Sequence, residues 1–132
     1  MTYNSQANNL TVARGQKSLK ISGLGVDCVD IKRFRLFKSR QAAFFQKVFT
    51  RKELDYCFSF ADPAPHLAGN FAAKEAAVKA KGGQEVSILD IEIIRDRHGR
   101  PRVFRKNKAD KKMLVSISHT QNLAIALALW LN

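Results

Sequence analysis

The sequence predicts an α+β fold, in which helices dominate the first half and an antiparallel sheet the second. Three observations carry this prediction. Residues 21–29 form an apolar run with the length of one buried strand, and residues 33–81 carry apolar side chains at helical spacing. From residue 86 onward, apolar segments rich in isoleucine, valine and leucine are separated by turn signals, which is typical of antiparallel strands.

The first half of the chain is expected to contain one strand and three helices. We predict the strand at residues 21–28 and the helices at 33–45, 52–60 and 65–81. Thr50 and Glu53 form a capping-box pattern at the start of the second helix. Pro63 and Pro65 separate that helix from the long third one, which is expected to end at Gly82.

The second half is expected to be an antiparallel meander. We predict strands at residues 86–95, 101–104, 114–119 and 123–131. Gly99 and Pro101 mark the first turn, and residues 120–122 have the length of a short hairpin loop between the last two strands.

Length and composition predict one domain, at residues 21–132, preceded by a flexible tail at residues 1–20. The tail is polar and has no periodicity. We find no apolar segment with the features of a secretory signal or the length of a membrane span. Cys28 and Cys57 lack metal-binding spacing, so we expect reduced, buried thiols in a cytoplasmic protein.

The net charge of +12 is concentrated in two segments of the chain. Residues 31–52 carry eight lysines and arginines and no acid, and residues 95–112 carry nine against two aspartates. Such segments indicate a polyanionic partner, which is a nucleic acid, an anionic membrane, a phosphate-rich ligand or an acidic protein. A basic surface that serves only solubility is the alternative.

Two acids occupy unexpected places in the pattern. Glu75 shares a predicted helix face with Leu67 and Phe71, and burying a carboxylate there is costly unless a cation compensates it. Lys79 lies one turn further on, where it can pair with Glu75 or hold a phosphate; an ordinary surface pair is the alternative. The many alanines of this helix allow a neighbouring chain or ligand to approach closely. Asp27 lies inside the predicted strand, where aspartate is disfavoured.

Asp27 and Glu75 together suggest a shared site for a hard cation. Mg²⁺ prefers one or two protein carboxylates, with water and substrate phosphates completing its coordination. Asp30, at the change from strand to helix, is more simply interpreted as a helix N-cap. Composition alone leaves open whether the two acids meet in space.

Five motifs stand out in the sequence, at residues 25–31, 49–53, 67–76, 99–101 and 115–120. Taken together, they resemble the holo-acyl-carrier-protein synthases, the small trimeric group of the 4′-phosphopantetheinyl transferase superfamily. The resemblance implies the 4′-phosphopantetheinyl transferase fold, with an antiparallel sheet packed against a long central helix and shorter helices. It also implies a homotrimer with its sites at the subunit interfaces.

The resemblance implies transfer of phosphopantetheine from coenzyme A to a serine of an apo acyl carrier protein, with Mg²⁺ required. It assigns the metal ligands to Asp27 and Glu75 and the catalytic residues to Asp27, Glu75, Lys79 and His119. The cofactor-binding residues that it implies are Lys79, Gly82, Arg100, Pro101, Ser118 and His119, with residues 99–101 supplied by a neighbouring protomer. Glu75, or a metal-bound water that it orients, is the expected base, in preference to His119.

The resemblance also accounts for the first basic segment as a docking patch for an acidic acyl carrier protein, formed by Arg33, Arg35, Lys38 and Arg40. Neither a nucleic acid nor a membrane is then an expected partner. The sequence departs from the family at Asn70, where arginine is common, and at Asp30, where glutamate is usual.

The main alternative is a basic nucleic-acid-binding module without catalysis. It leaves Asp27 and Glu75 unexplained, because acids in a nucleic-acid cleft oppose binding. A family member that binds carrier proteins without catalysis is a second alternative, and the intact Asp27, Glu75 and Lys79 argue against it.

Overall fold

The computed structural model describes residues 18–37, 39–82 and 86–132, so most of the predicted tail and the docking residue Lys38 lie outside the described residues. The elements are β1 (Ile21–Asp30), α1 (Lys32–Arg35), α2 (Ala43–Val48), α3 (Arg51–Phe58), α4 (Ala64–Ala80), a 3₁₀ turn (Ile88–Asp90), β2 (Ile91–Arg95), β3 (Pro101–Arg105), β4 (Lys108–Ala109), β5 (Met113–His119) and β6 (Leu123–Leu131). The predicted α+β class is confirmed. No helix among these residues is both long and apolar enough to span a membrane.

The strands form two antiparallel three-stranded sheets, ordered β1-β6-β5 and β2-β3-β4. The β5–β6 hairpin is as predicted. The expected single meander is wrong, because β2 and β3 belong to one sheet and β5 and β6 to the other. The first strand, β1, joins the second of these sheets beside the last strand, β6. In this register Asp27 lies opposite Ala126. A pairing between strands so distant in sequence leaves no local signal that a turn pattern can show.

Helix α4 packs against β1 at very short range. A Cβ added to Gly25 would lie 1.9 Å from the carbonyl oxygen of Ala76, and one added to Gly23 would lie 1.8 Å from that of Ala80. Only glycines in the strand and alanines on the helix permit this approach. The close approach that the alanines of α4 were expected to offer a ligand or a neighbouring chain is taken here by this chain's own strand β1, which carries Asp27.

The predicted helix at residues 33–45 is wrong. The described residues form two separate short helices there, α1 and α2. Phe37 stacks on Phe44 with ring centroids 5.3 Å apart. In one straight helix these residues would be separated by about 10 Å along the axis, so the aromatic packing requires the chain to fold back between them.

Three local expectations have mixed outcomes. The capping box is confirmed, since the Thr50 hydroxyl accepts from the Glu53 N–H and the Glu53 carboxylate accepts from the Thr50 N–H. Asp30 is not an N-cap, because the strand continues through it and Ile31 takes the N-cap position without a side-chain bond. Cys57 is buried as expected, but Cys28 is exposed, because strand alternation turns it toward the outer face of the sheet.

The strand predicted from residue 86 begins later, at Ile91. Ser87 instead caps the 3₁₀ turn, in which its hydroxyl accepts from Leu89 N–H and Asp90 closes a second capping box. Serine and aspartate at this spacing compete with strand pairing for the backbone donors.

Candidate active site

Asp27 faces α4 from the inner side of β1, and Lys79 on α4 contacts it directly. The Lys79 Nζ donates to Asp27 Oδ1 at 3.1 Å and to the carbonyl oxygen of Val26 at 3.0 Å. The Asp27 side chain is 18% exposed and that of Lys79 is 53% exposed. The pair therefore lies at the edge of the β1–α4 contact, where solvent and a ligand can reach the ammonium group.

Glu75 lies one helical turn before Lys79 and is half-buried. Lys79 pairs with Asp27, whereas among the described residues Glu75 has neither an ion pair nor a hydrogen bond through its side chain. Because residues four apart on a helix are neighbours, Glu75 lies beside Lys79, whose ammonium group pairs with Asp27. Asp27 thus has one cationic partner, and Glu75 has none among the described residues.

The donor set of this junction suits Mg²⁺. The described residues contain no cluster of three or more histidine, cysteine, aspartate or glutamate side chains that could hold a metal. A site with two carboxylates is incomplete for most metals but ordinary for Mg²⁺, which keeps several waters and binds substrate phosphates. Asp27 and Glu75 are the residues that could hold it.

Arg100 and Pro101 lie at the turn of the β2–β3 hairpin, which Asp96 organises. The Asp96 carboxylate accepts from the N–H groups of His98 and Arg100 at 2.9 and 3.0 Å, and from the side chains of Arg100 and Arg102. Desolvation favours the neutral acid, but these hydrogen bonds outweigh it and lower the pKa of Asp96 to about 2. The turn is thus held rigid by an aspartate that stays charged.

Ser118 and His119 lie on opposite faces of the sheet, because adjacent strand residues alternate. His119 is exposed on the side of α4, where its Nδ1 lies 3.0 Å from the carbonyl oxygen of Thr120. Strand β6 separates β5 from β1, so two strand spacings, about 10 Å, lie between His119 and the strand of Asp27. His119 and Asp27 therefore lie on separate strands, both on the side of the sheet that faces α4.

Gly82 follows α4 directly, with a φ of +84° that favours glycine. Its N–H donates to the carbonyl oxygen of Lys79, so the predicted cofactor-binding residue Gly82 ends the helix one turn beyond that lysine's backbone.

A fully buried ion pair between Glu53 and Lys74 was not foreseen from the sequence. The Lys74 Nζ donates to Glu53 Oε2 at 2.8 Å, and Glu53 Oε1 accepts from the N–H of Ile93 at 2.8 Å. Burial raises the pKa of Glu53 and lowers that of Lys74, and their mutual attraction opposes both shifts. The signal was present: Lys74 lies two turns after Leu67, on the buried face of α4.

The predicted docking patch is partly neutralised within the chain. Arg35 donates to both oxygens of Asp62 at 2.8 Å, and Arg40 pairs with Asp55. Arg33 is exposed, with its guanidinium carbon 5.9 Å from the centre of the Phe71 ring. Leu36, between these arginines, is 80% exposed. The surface thus combines basic groups with an apolar side chain.

Comparisons with known proteins agree with this architecture. The model of the 4′-phosphopantetheinyl transferase superfamily matches residues 23–128. The chain is 43% identical to a holo-[acyl-carrier-protein] synthase of Protochlamydia amoebophila, over 82% of this chain and 96% of that protein. It is 38% identical to the Bacillus subtilis protein of the same name, over 80% and 92% of the two chains.

The fold has close counterparts among solved structures. A holo-(acyl-carrier-protein) synthase from Bacillus anthracis, in complex with CoA (3′,5′-ADP), matches with a TM-score of 0.71 and 30% identity, over 85% of this chain and 97% of that one. The holo-ACP-synthase of Plasmodium yoelii also matches with a TM-score of 0.71 and 30% identity, over 88% and 98%. The resemblance seen in the motifs is confirmed, and the chain belongs to the 4′-phosphopantetheinyl transferase superfamily, among the holo-[acyl-carrier-protein] synthases.

Proposed function

We propose that this chain transfers the 4′-phosphopantetheine group of coenzyme A to a serine hydroxyl of an apo acyl carrier protein. The serine oxygen bonds to the phosphorus that carries pantetheine, the pyrophosphate bond breaks, and adenosine 3′,5′-bisphosphate leaves. The observation that carries the proposal is the β1–α4 junction, where Lys79 pairs with Asp27 and remains half exposed. Glu75, one helical turn before Lys79, has no ion pair among the described residues.

Asp27 and Glu75 would hold Mg²⁺ at this junction. The ion would neutralise negative charge that develops on the pyrophosphate. Lys79 is exposed enough for its ammonium group to donate to the phosphate oxygens, which places a fixed positive charge where the transition state needs it. Glu75, or a water that it orients, would accept the serine proton. His119 is not proposed as the base, since one of its ring nitrogens contacts the carbonyl oxygen of Thr120. In addition, β6 lies between the strand of His119 and the strand of Asp27.

The second half of the site, with Arg100, Pro101 and His119, is proposed to act from a neighbouring subunit of a homotrimer. Apolar side chains on the outer face of the β1-β6-β5 sheet support self-association: Leu24, Val26, Leu114, Leu123, Ile125 and Leu127 are all exposed. An apolar face of this extent is unusual on a monomer. Ser118 lies on the same face as these side chains, so it would meet the cofactor only at a subunit interface.

The carrier protein is proposed to dock on Arg33, Arg35, Lys38 and Arg40. An acidic partner would compete with Asp62 and Asp55 for Arg35 and Arg40, and Leu36 offers it an apolar contact. Association through such a surface weakens as salt rises. The KM for the carrier protein should therefore increase with ionic strength more steeply than the KM for coenzyme A. We further propose a cytoplasmic location, with which the two free thiols agree.

The test is the intact mass of an apo acyl carrier protein after incubation with this protein, coenzyme A and Mg²⁺. A mass gain of one phosphopantetheine, abolished by EDTA, is expected. No gain with several carrier proteins and a folded enzyme would contradict the proposal. Binding of RNA or DNA by the same sample would then favour the nucleic-acid-binding alternative.

A further inference from the structure

Arg95, at the end of β2, holds an unusual position for an arginine. Its Nη2 donates to Asn70 Oδ1 at 3.0 Å, and its guanidinium carbon lies 4.9 Å from the centre of the Tyr56 ring. Its Nη1 is buried and has no acceptor among the described residues. The guanidinium is therefore fixed by an amide and an aromatic ring, with one donor end left unused.

No anion within the described residues balances the charge of Arg95. The seven ion pairs there involve other lysines and arginines. Cys57, which bonds to the same Asn70, is not an anion, because burial raises the pKa of its thiol to about 12. A partly buried guanidinium normally meets a carboxylate or a phosphate, since an uncompensated charge is costly to desolvate.

The surroundings of Arg95 lead toward the nucleotide half of the proposed site. The His66 ring contacts the His119 ring edge-on, with centroids 6.4 Å apart. His66 also lies near Tyr56, at a centroid distance of 6.0 Å, so Tyr56 joins Arg95 to the histidines. Asn70 lies one turn after His66 on α4. These contacts put Arg95, Asn70 and His119 on one side of α4.

We propose that Arg95, oriented by Asn70, binds a phosphate group of the nucleotide portion of coenzyme A. The inference rests on the proposed function, which supplies the ligand. A planar guanidinium suits this role, because it can stay bound to Asn70 while its exposed part donates to a phosphate oxygen.

The first experiment measures the dissociation constant of adenosine 3′,5′-bisphosphate by calorimetry for the wild-type chain, Arg95→Gln and Arg97→Gln. Arg97 is the matched control, since it is exposed on the same hairpin and, among the described residues, its side chain donates a hydrogen bond to His98 and forms no ion pair. In Arg95→Gln, loss of a charge-assisted hydrogen bond should raise the dissociation constant of the nucleotide about 10-fold or more. Arg97→Gln should stay within about 2-fold of the wild type.

Asn70→Asp is the second variant, and it keeps Arg95 in place. The new carboxylate has the shape of the amide and would pair with the guanidinium, which neutralises the charge that the phosphate needs. Weaker binding of the nucleotide with an unchanged or higher Tm is expected. Because this variant leaves the arginine packing intact, it decides the question even if Arg95→Gln fails to fold.

Three results would overturn the inference: nucleotide binding within about 2-fold of the wild type in a folded Arg95→Gln, equal weakening in Arg97→Gln, or wild-type affinity in Asn70→Asp. Failure of the wild-type chain to bind the nucleotide would instead contradict the proposed function itself. The two failures are thus distinguishable in one titration series.

Discussion

Two lysines of α4, five residues apart, each pair with an acid from another element, yet the two pairs differ in almost every physical respect. Lys74 and Glu53 are 0% exposed and lie 2.8 Å apart. Lys79 and Asp27 are 53% and 18% exposed and lie 3.1 Å apart. Glu53 also binds the backbone N–H groups of Thr50 and Ile93, whereas Lys79 shares its donors with the carbonyl oxygen of Val26.

The difference indicates that the buried pair has a structural role, whereas the exposed pair is able to take part in the reaction. The buried carboxylate is saturated with donors and ties α4 to the start of α3 and to β2, so it fixes their relative positions. A buried pair of this kind adds specificity more than net stability, but removing one partner strands a charge. Breaking the exposed pair costs little free energy. A cation can therefore bind the carboxylate, and a phosphate can bind the lysine, in place of the original partner.

The largest effect is expected from Lys74→Ala. This change leaves the Glu53 carboxylate buried without its cation, and the free energy of unfolding should fall by about 3–5 kcal/mol. Lys79→Ala, the matched control on the same helix, should lose no more than about 1 kcal/mol. Urea denaturation at one protein concentration measures both. Similar losses in the two variants would remove the distinction between the pairs.

Glu75→Gln is expected to have the opposite effect to Lys74→Ala, because it should leave the fold intact and abolish the transfer reaction. The amide keeps the shape of the side chain but loses the charge that is proposed to hold Mg²⁺ and accept the serine proton. We expect the rate of carrier-protein modification to fall about 100-fold or more, with an unchanged Tm. Rates from intact-mass time courses check this. A variant with nearly wild-type turnover would show that Glu75 does not serve the reaction.

Gly25→Ala should disturb both the exposed pair and the packing of β1 on α4, by forcing the strand away from the helix. The Cβ of the new alanine would lie 1.9 Å from the carbonyl oxygen of Ala76, a clash that no rotamer change relieves. We therefore expect the free energy of unfolding to fall by about 1–3 kcal/mol and the activity to decrease. Gly69→Ala is the control, since its Cβ would meet only the Ile117 Cγ2, at 3.0 Å. Denaturation and activity are measured on both. Equal tolerance of the two changes would mean that the close β1–α4 contact does not position Asp27.

The smallest expected effect is a pH dependence of the free energy of unfolding that arises from His66, whose ring contacts that of His119. Burial lowers the pKa of His66 below its usual value of 6.5, and the neighbouring His119 and Arg95 lower it further. The unfolded chain therefore binds a proton more readily than the folded one, so the free energy of unfolding should decrease as pH falls below about 6.5. Denaturation at pH 7.5 and 5.5 tests this. His66→Gln should lessen the decrease, and an identical decrease in that variant would assign it to other groups.

Local patterns predicted the elements whose signals are local. The capping box at Thr50, the 17-residue helix α4 and the β5–β6 hairpin follow from caps, spacing and turn residues, and all three are present. The break between α1 and α2 was missed, because aromatic residues at helical spacing can equally pack on each other in a folded-back chain. The buried ion pair of Glu53 with Lys74 was missed because the capping box already accounted for an acid at position 53.

The sequence by itself determined that α4 carries an acid and a lysine one turn apart, that β1 contains an aspartate, and which family the motifs resemble. Only the tertiary structure decided which charges meet. It paired Lys79 with Asp27 and Lys74 with Glu53, and it left Arg95 without an anion among the described residues. The physical reason is that ion-pair partners come from elements distant in the chain, and the glycine–alanine contact of β1 with α4 sets their distances.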